Sequence, residues 1–152
     1  MPMTMTGAVE LKAPRERVWN ELNNPERLKG CIPGCEELEA LGNHKYRAKA
    51  KMKVGPVSAR FSGRITISDQ NPPYGYRISG EGEGGVAGFA KGHAVVRLDE
   101  GEGVTTLTYD VEAQVGGKIA QLGQRLLNGA AKKLADDFFV KFADLVAKNS
   151  EG

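Results

Sequence analysis

Hydrophobic and polar residues alternate with a period of two through most of the chain. Near two places that period gives way to one of three or four. Met3, Met5, Gly7, Val9 and Leu11 share one side of the first segment and Thr4, Thr6, Ala8 and Glu10 the other, which predicts a half-buried strand. Pro14 then stands where a first helical turn tolerates it, and Val18, Trp19 and Leu22 recur at helical spacing over Arg15 to Leu22. Asn24-Pro25, a side-chain cap followed by proline, opens a second short helix through Leu28, and Gly30 with Pro33-Gly34 ends it.

From Glu36 the period of two returns. A short strand over Glu37 to Leu41 and a three-residue loop, Gly42-Asn43-His44, lead into a longer strand. There Tyr46, Ala48, Ala50, Met52 and Val54 face one way and Lys45, Arg47, Lys49, Lys51 and Lys53 the other. Gly55-Pro56 turns the chain into Val57, Ala59, Phe61, Gly63, Ile65 and Ile67, again alternating with polar residues. Asn71-Pro72-Pro73 makes the next turn, because proline cannot donate to a sheet ladder. Tyr76, Ile78, Gly80 and Gly82 point inward on the strand that follows, and Phe89 to Leu98 and Val104 to Val115 complete a set of seven. Pairing Val96 with Leu107 in the last hairpin sets Lys91 against Glu112 and His93 against Asp110, while Glu37 and Glu39 face Lys49 and Arg47. From Lys118 to about Lys148 one long helix is predicted. Ile119, Leu122, Leu126, Ala130, Leu134, Phe138, Phe142 and Leu145 recur every three or four residues there.

That order of elements is an α+β arrangement: a curved seven-stranded antiparallel sheet wrapped around a long C-terminal helix, with two short helices after the first strand. No linker, repeat or low-complexity segment divides residues 1–152, so a single domain is expected. Apolar residues make up 40% and charged ones 26%, enough to bury a core. The formal charge of +2 is too balanced for a chain built to neutralise nucleic-acid phosphates. No apolar run approaches the roughly 18–20 residues of a membrane span, and no signal peptide is visible, so a cytoplasmic protein is expected. Two cysteines and two histidines are too few for a structural zinc site, and no metal or cofactor is expected.

Composition changes the picture at glycine: 20 of 152 residues, about twice the usual ~7%. Ala48, Ala50, Ala59, Gly63, Gly80, Gly82, Ala90, Gly92, Ala94 and Ala113 all fall on the predicted inner face, where larger residues would normally fill volume. Either glycines bend the sheet and the helix packs closer, or volume is left as a cavity roofed by the helix. The number of such positions favours the cavity. Its expected lining is Trp19, Ala50, Met52, Ala59, Phe61, Gly80, Gly82, Phe89, Gly92, Tyr109, Leu126, Phe138 and Phe142, with the Tyr109 hydroxyl as polar handle. Access is expected through the Gly84–Gly88 and Gly55-Pro56 loops and the glycine-rich start of the last helix.

Outside that cavity the candidates are fewer. Lys45, Arg47, Lys49, Lys51 and Lys53, with Arg60 and Arg64 on the next strand, form a cationic stripe that reads either as a solvated face or as a docking face for an anionic partner or headgroups. Cys31 and Cys35 flank Pro33-Gly34 at a spacing unlike zinc ribbons and read as reduced thiols. His93 projects outward beside an acid; turned inward, it could serve with Tyr109 as an acid–base pair in an enzyme of polyketide-cyclase or hydratase type. With no catalytic acid, base or nucleophile inside, the cavity suits holding an apolar or amphipathic molecule better than transforming one.

Five features in this order resemble the G-subunit family of carbon monoxide dehydrogenase. They are the Pro14–Leu22 helix, the Cys31-Ile32-Pro33-Gly34-Cys35-Glu36 turn, the Lys51–Arg64 hairpin with Gly55-Pro56, the Gly85–Gly92 stretch and Gly117-Lys118-Ile119-Ala120-Gln121-Leu122-Gly123. That family lies within the helix-grip superfamily of START lipid-transfer proteins and polyketide cyclases. The resemblance implies a helix-grip fold with a ligand cavity between sheet and helix. It also implies an accessory role beside a molybdenum hydroxylase of the carbon monoxide dehydrogenase type, linked to the membrane by carriage of a lipophilic quinone. Fuller members continue into a tail ending in an apolar anchor, whereas this sequence runs to Gly152, so peripheral contact with the inner membrane face is expected.

Overall fold

The computed structural model describes residues 2–149. Its elements are β1 (Pro2–Leu11), α1 (Arg15–Leu22), α2 (Pro25–Lys29), β2 (Cys35–Gly42), β3 (Lys45–Val54), β4 (Val57–Asn71), β5 (Gly75–Glu83), β6 (Phe89–Gly101), β7 (Val104–Gly116) and α3 (Gln124–Asn149), with short 3-10 turns at Gly85–Ala87 and Lys118–Leu122. The strands form one antiparallel sheet of seven in the order β1-β7-β6-β5-β4-β3-β2. Helix α3 leans on β1 at one side and on β3 at the other, so the sheet curls around it. The α+β class and the wrapped-helix architecture are those the alternation predicts.

The hairpin turns set the register. Asn43 and His44 both take left-handed φ, 52° and 60°, giving a two-residue turn rather than a three-residue loop. Glu37 still pairs with Lys49 and Glu39 with Arg47, as expected. In the last hairpin the left-handed pair is Glu102 (φ 54°) and Gly103 (φ 78°), which pairs Gly101 with Val104. Val96 therefore meets Tyr109, not Leu107. Lys91 meets Gln114, not Glu112, and His93 meets Glu112, not Asp110. The slip is two residues, so every side chain keeps its face.

Two local expectations also change. The long terminal helix does not start at Lys118: Gly117 (φ 81°) and Gly123 (φ 93°) are left-handed, so a 3-10 turn precedes α3. Asn24 sits at the N-cap of α2 but its side chain makes no capping bond; Pro25 at the first turn sets that helix instead. The neighbouring Asn23 closes α1, its Nδ2 donating to the Trp19 carbonyl at 2.9 Å.

Two apolar cores form at opposite ends of α3. The larger joins Leu11, Ala13, Val18, Cys31, Tyr76, Val96, Leu98 and Leu107 with Phe142 and Val146. The smaller joins Ala87, Val115, Ile119 and Leu127, with Val54, Val57, Ala59 and Phe61 packed on it. Thr105, fully buried, donates through Oγ1 to the Ala13 carbonyl at 2.8 Å and so satisfies the chain after β1.

Between those cores the inner-face glycines divide. A Cβ at Gly63 would strike the Glu81 carbonyl, and one at Gly92 the Glu112 carbonyl and Ala113, so here adjacent strands approach too closely for any side chain. These two residues bend the sheet rather than vacate room. At Gly80 and Gly82 a Cβ would meet only ordinary contacts. Gly92→Ala is expected to lower unfolding free energy by about 1–3 kcal/mol in urea titration. Gly129→Ala, in α3 with open space around its Cα, is expected to raise it by about 0.5–1 kcal/mol.

Candidate functional site

An apolar chamber of about 210 Å³ lies between the inner sheet face and α3. Each wall follows from local sequence. The α1–α2 corner brings Leu22, Pro25 and Leu28 across the open end of the sheet, and Ile32 follows them. Alternation along the strands supplies Leu38, Tyr46, Ile65, Ile67, Tyr76, Ile78, Val96, Leu107 and Tyr109. Helix α3 adds Phe138 and Phe139.

The aromatic walls brace one another. Phe138 stacks on Phe142 with ring centres 5.5 Å apart and meets Phe139 edge-on at 5.0 Å, while Phe139 stacks on Tyr109 at 5.3 Å. Trp19 crosses Tyr76 edge-on at 5.4 Å from behind the wall. Of the thirteen residues expected to line a cavity, Tyr109 and Phe138 stand on this chamber. Phe142 is fully buried in the larger core, Ala59 and Phe61 pack on the smaller one, and Ala50 and Met52 lie half-buried on β3. Phe89 and Leu126 are each 46% exposed. Gly80 and Gly92 border a trench on the outer face, and Gly82 a neighbouring outer hollow. The loops expected to gate access close over the smaller core; the chamber instead abuts α2 and Ile32.

The remaining candidate groups are placed as follows. His93 projects away from α3, its Nε2 3.6 Å from Glu112 Oε2, so it and Tyr109 lie on opposite sides of the sheet and form no acid–base pair. Arg47 meets Glu39 at 2.8 Å, Lys49 meets Glu37 at 3.7 Å and Arg60 meets Glu36 at 2.9 Å, which neutralises three of the seven stripe cations. The Cys31 thiol donates to the Arg27 carbonyl at 3.8 Å and Cys35 to the Glu37 carbonyl at 3.3 Å. Burial raises both thiol pKa values, keeping them protonated.

A family model for CoxG, the G-subunit of carbon monoxide dehydrogenase, matches residues 7–147. The chain belongs to the CoxG family. A conserved protein from Geobacillus kaustophilus has a solved structure that is 40% identical, covers 96% of each chain and superposes with a TM-score of 0.91. The Zhui aromatase/cyclase from Streptomyces sp. R1128 shares the helix-grip fold at 13% identity, covering 99% of this chain and 96% of its own, TM-score 0.72. A protein from Thermus thermophilus does so at 20% identity, covering 97% and 99%, TM-score 0.70. No curated protein sequence matches the chain. Among the described residues no helix is long and apolar enough to cross a membrane.

In this CoxG-family chamber the polar handle is not the one expected. The Tyr109 hydroxyl end lies over Gly7 of β1, on the side of Asp136 and Lys132, so only its ring faces inward. Burial raises the Tyr109 pKa, Asp136 raises it further and Lys132 opposes them. The hydroxyl that belongs to the chamber is that of Tyr76. Its residue is 6% exposed, and among the described residues no group shares a hydrogen bond with it. Burial pushes the Tyr76 pKa far above the usual phenol range, and neighbouring Tyr46 adds to the shift. Its inward position was legible in the Tyr76–Ile78 alternation; its burial was not, because α1 and Trp19 cover it from elsewhere in the chain.

That shift has a defined pH consequence. The folded state keeps the Tyr76 proton to higher pH than the unfolded chain does, so stability is intact below the unfolded value near pH 10 and declines as pH rises past it. Urea titrations between about pH 8 and pH 11 are expected to show that decline, and Tyr76→Phe should lessen it, leaving the parts due to Cys31, Cys35, Tyr109, Lys132 and Lys133, whose folded pKa values are also raised.

Proposed function

We propose that this protein is an accessory carrier that holds a small, largely apolar ring-bearing molecule of the lipid or quinone type in the chamber between sheet and α3. The partner implied by the family's name is an enzyme of the carbon monoxide dehydrogenase type, a molybdenum hydroxylase that this chain serves from the cytoplasmic face of the inner membrane. One observation carries the reading: a braced apolar chamber of about 210 Å³ with buried Tyr76, whose hydroxyl makes no hydrogen bond among the described residues, at its wall. That space matches a fused ring, since an apolar cavity of ~150 Å³ admits benzene. Removing apolar ligand surface from water contributes about 25 cal/mol per Å², and Tyr76 offers a donor to a ligand oxygen.

Trp19 reports on the chamber because it is the chain's one tryptophan and touches Tyr76. 1,4-Naphthoquinone is expected to quench its emission saturably. Val96→Phe, which projects a ring into the chamber, should weaken that binding about tenfold. Tyr76→Phe should weaken it by a smaller factor while leaving unfolding free energy unchanged or slightly raised. Equal quenching in Val96→Phe and wild type would place the quinone outside the chamber and end the carrier reading.

A further inference from the structure

A trench of about 740 Å³ runs across the outer face of the sheet, on the side away from α3. One cation stands in it from each of four adjacent strands: Lys45 on β3, Arg64 on β4, Arg77 on β5 and Lys91 on β6. These four make no ion pair among the described residues, unlike Arg47, Lys49 and Arg60 of the neighbouring stripe. Two carboxylates share the trench. Glu81 lies directly between Arg64 and Lys91 in the ladder, and Glu112 is engaged with His93. The trench therefore keeps a positive excess of two, four cations against two acids.

We propose that this trench docks an acidic, extended segment of a protein partner. Adjacent strands lie about 4.8 Å apart, so the four cations spread over roughly 14 Å across the strands; along the strands Lys45 lies two residues and Arg77 four residues from the level that Arg64 and Lys91 share. An extended segment with acids at alternate positions offers carboxylates about 6.8 Å apart, so two or three of them fall within that patch. The two arginines present forked donors that match carboxylates in bidentate fashion. The trench offers no aromatic platform for the stacked bases of a nucleic acid. The stripe expected from sequence contributes Lys45 and Arg64; the centre of the surface lies further across the sheet, at Arg77 and Lys91. None of this depends on what the chamber holds.

The test uses the full chain and a fluorescein-labelled dodecapeptide of alternating Glu and Ser, read by fluorescence anisotropy at moderate salt. Arg64→Glu with Lys91→Glu is expected to weaken binding about tenfold, and Arg64→Gln with Lys91→Gln about threefold. Lys51→Glu with Lys53→Glu, an equal charge change on the stripe, should alter it less than twofold. Circular dichroism of each variant checks the fold, and the Gln pair keeps the test decisive if the Glu pair unfolds. Equal losses from both Glu pairs, no binding to wild type, tighter binding of a thymidine oligonucleotide of equal charge, or self-association abolished by the Arg64/Lys91 changes would each overturn the proposal.

Discussion

A sheet with one apolar face can surround a single helix only if its middle strands bend, and here the bend depends on backbone contact. At Gly63 and Gly92 the neighbouring strand's carbonyl occupies the place a Cβ would take. A side chain there would have to push the strands apart locally, while the sheet as it stands lets α3 contact both β1 and β3. The remaining features follow from that curl. The inner face closes on the helix at its two ends, and the outer face gains the trench that Gly92 borders.

Closure at two ends leaves the interior unevenly filled. The smaller core, around Ile119 and Leu127, is sealed by the glycine-rich turns before α3. The larger core carries the chamber on its flank, and large side chains keep it open: a wall of Phe138, Phe139 and Tyr109 cannot collapse inward without breaking its ring contacts. Small inner residues thus shape the sheet, and large ones frame the space. Alternation alone favours the small residues as the source of that space.

What was legible and what was not divides along physical lines. Period-two alternation is a local property, so β3 came out at Lys45–Val54 and, from the helical spacing, α1 at Arg15–Leu22, residue for residue. Faces were legible for the same reason, and Glu37–Lys49 and Glu39–Arg47 met as expected because edge charges sort by neighbour. Lateral register was not, since it turns on which two residues of Gly101-Glu102-Gly103 go left-handed. Nor was the role of each inner glycine: whether it empties space or admits a backbone depends on a strand elsewhere in the chain. Tyr76 and Tyr109 show the same limit. Both read as inward aromatics, yet only packing by Trp19 and proximity to Gly7 decide which hydroxyl stays in the chamber.

The chamber's size bears on why such a fold keeps it. Unfilled apolar volume costs about 24 cal/mol per Å³, so a chamber of about 210 Å³ forgoes up to about 5 kcal/mol of packing. That is comparable to the whole stability of many single domains. Larger side chains at Val96 or Ile65 would recover part of it, which makes the vacancy expensive to hold without a use. A ligand that enters regains those contacts and adds its own dehydration, and it binds without rearranging walls already braced by stacked rings. Loading and stability are then one quantity: whatever fills the chamber raises the unfolding free energy by its own binding term. The outer trench lies across the sheet from that process, so a partner there can engage loaded and empty forms alike, unless filling the chamber alters the bend at Gly92 that both faces share.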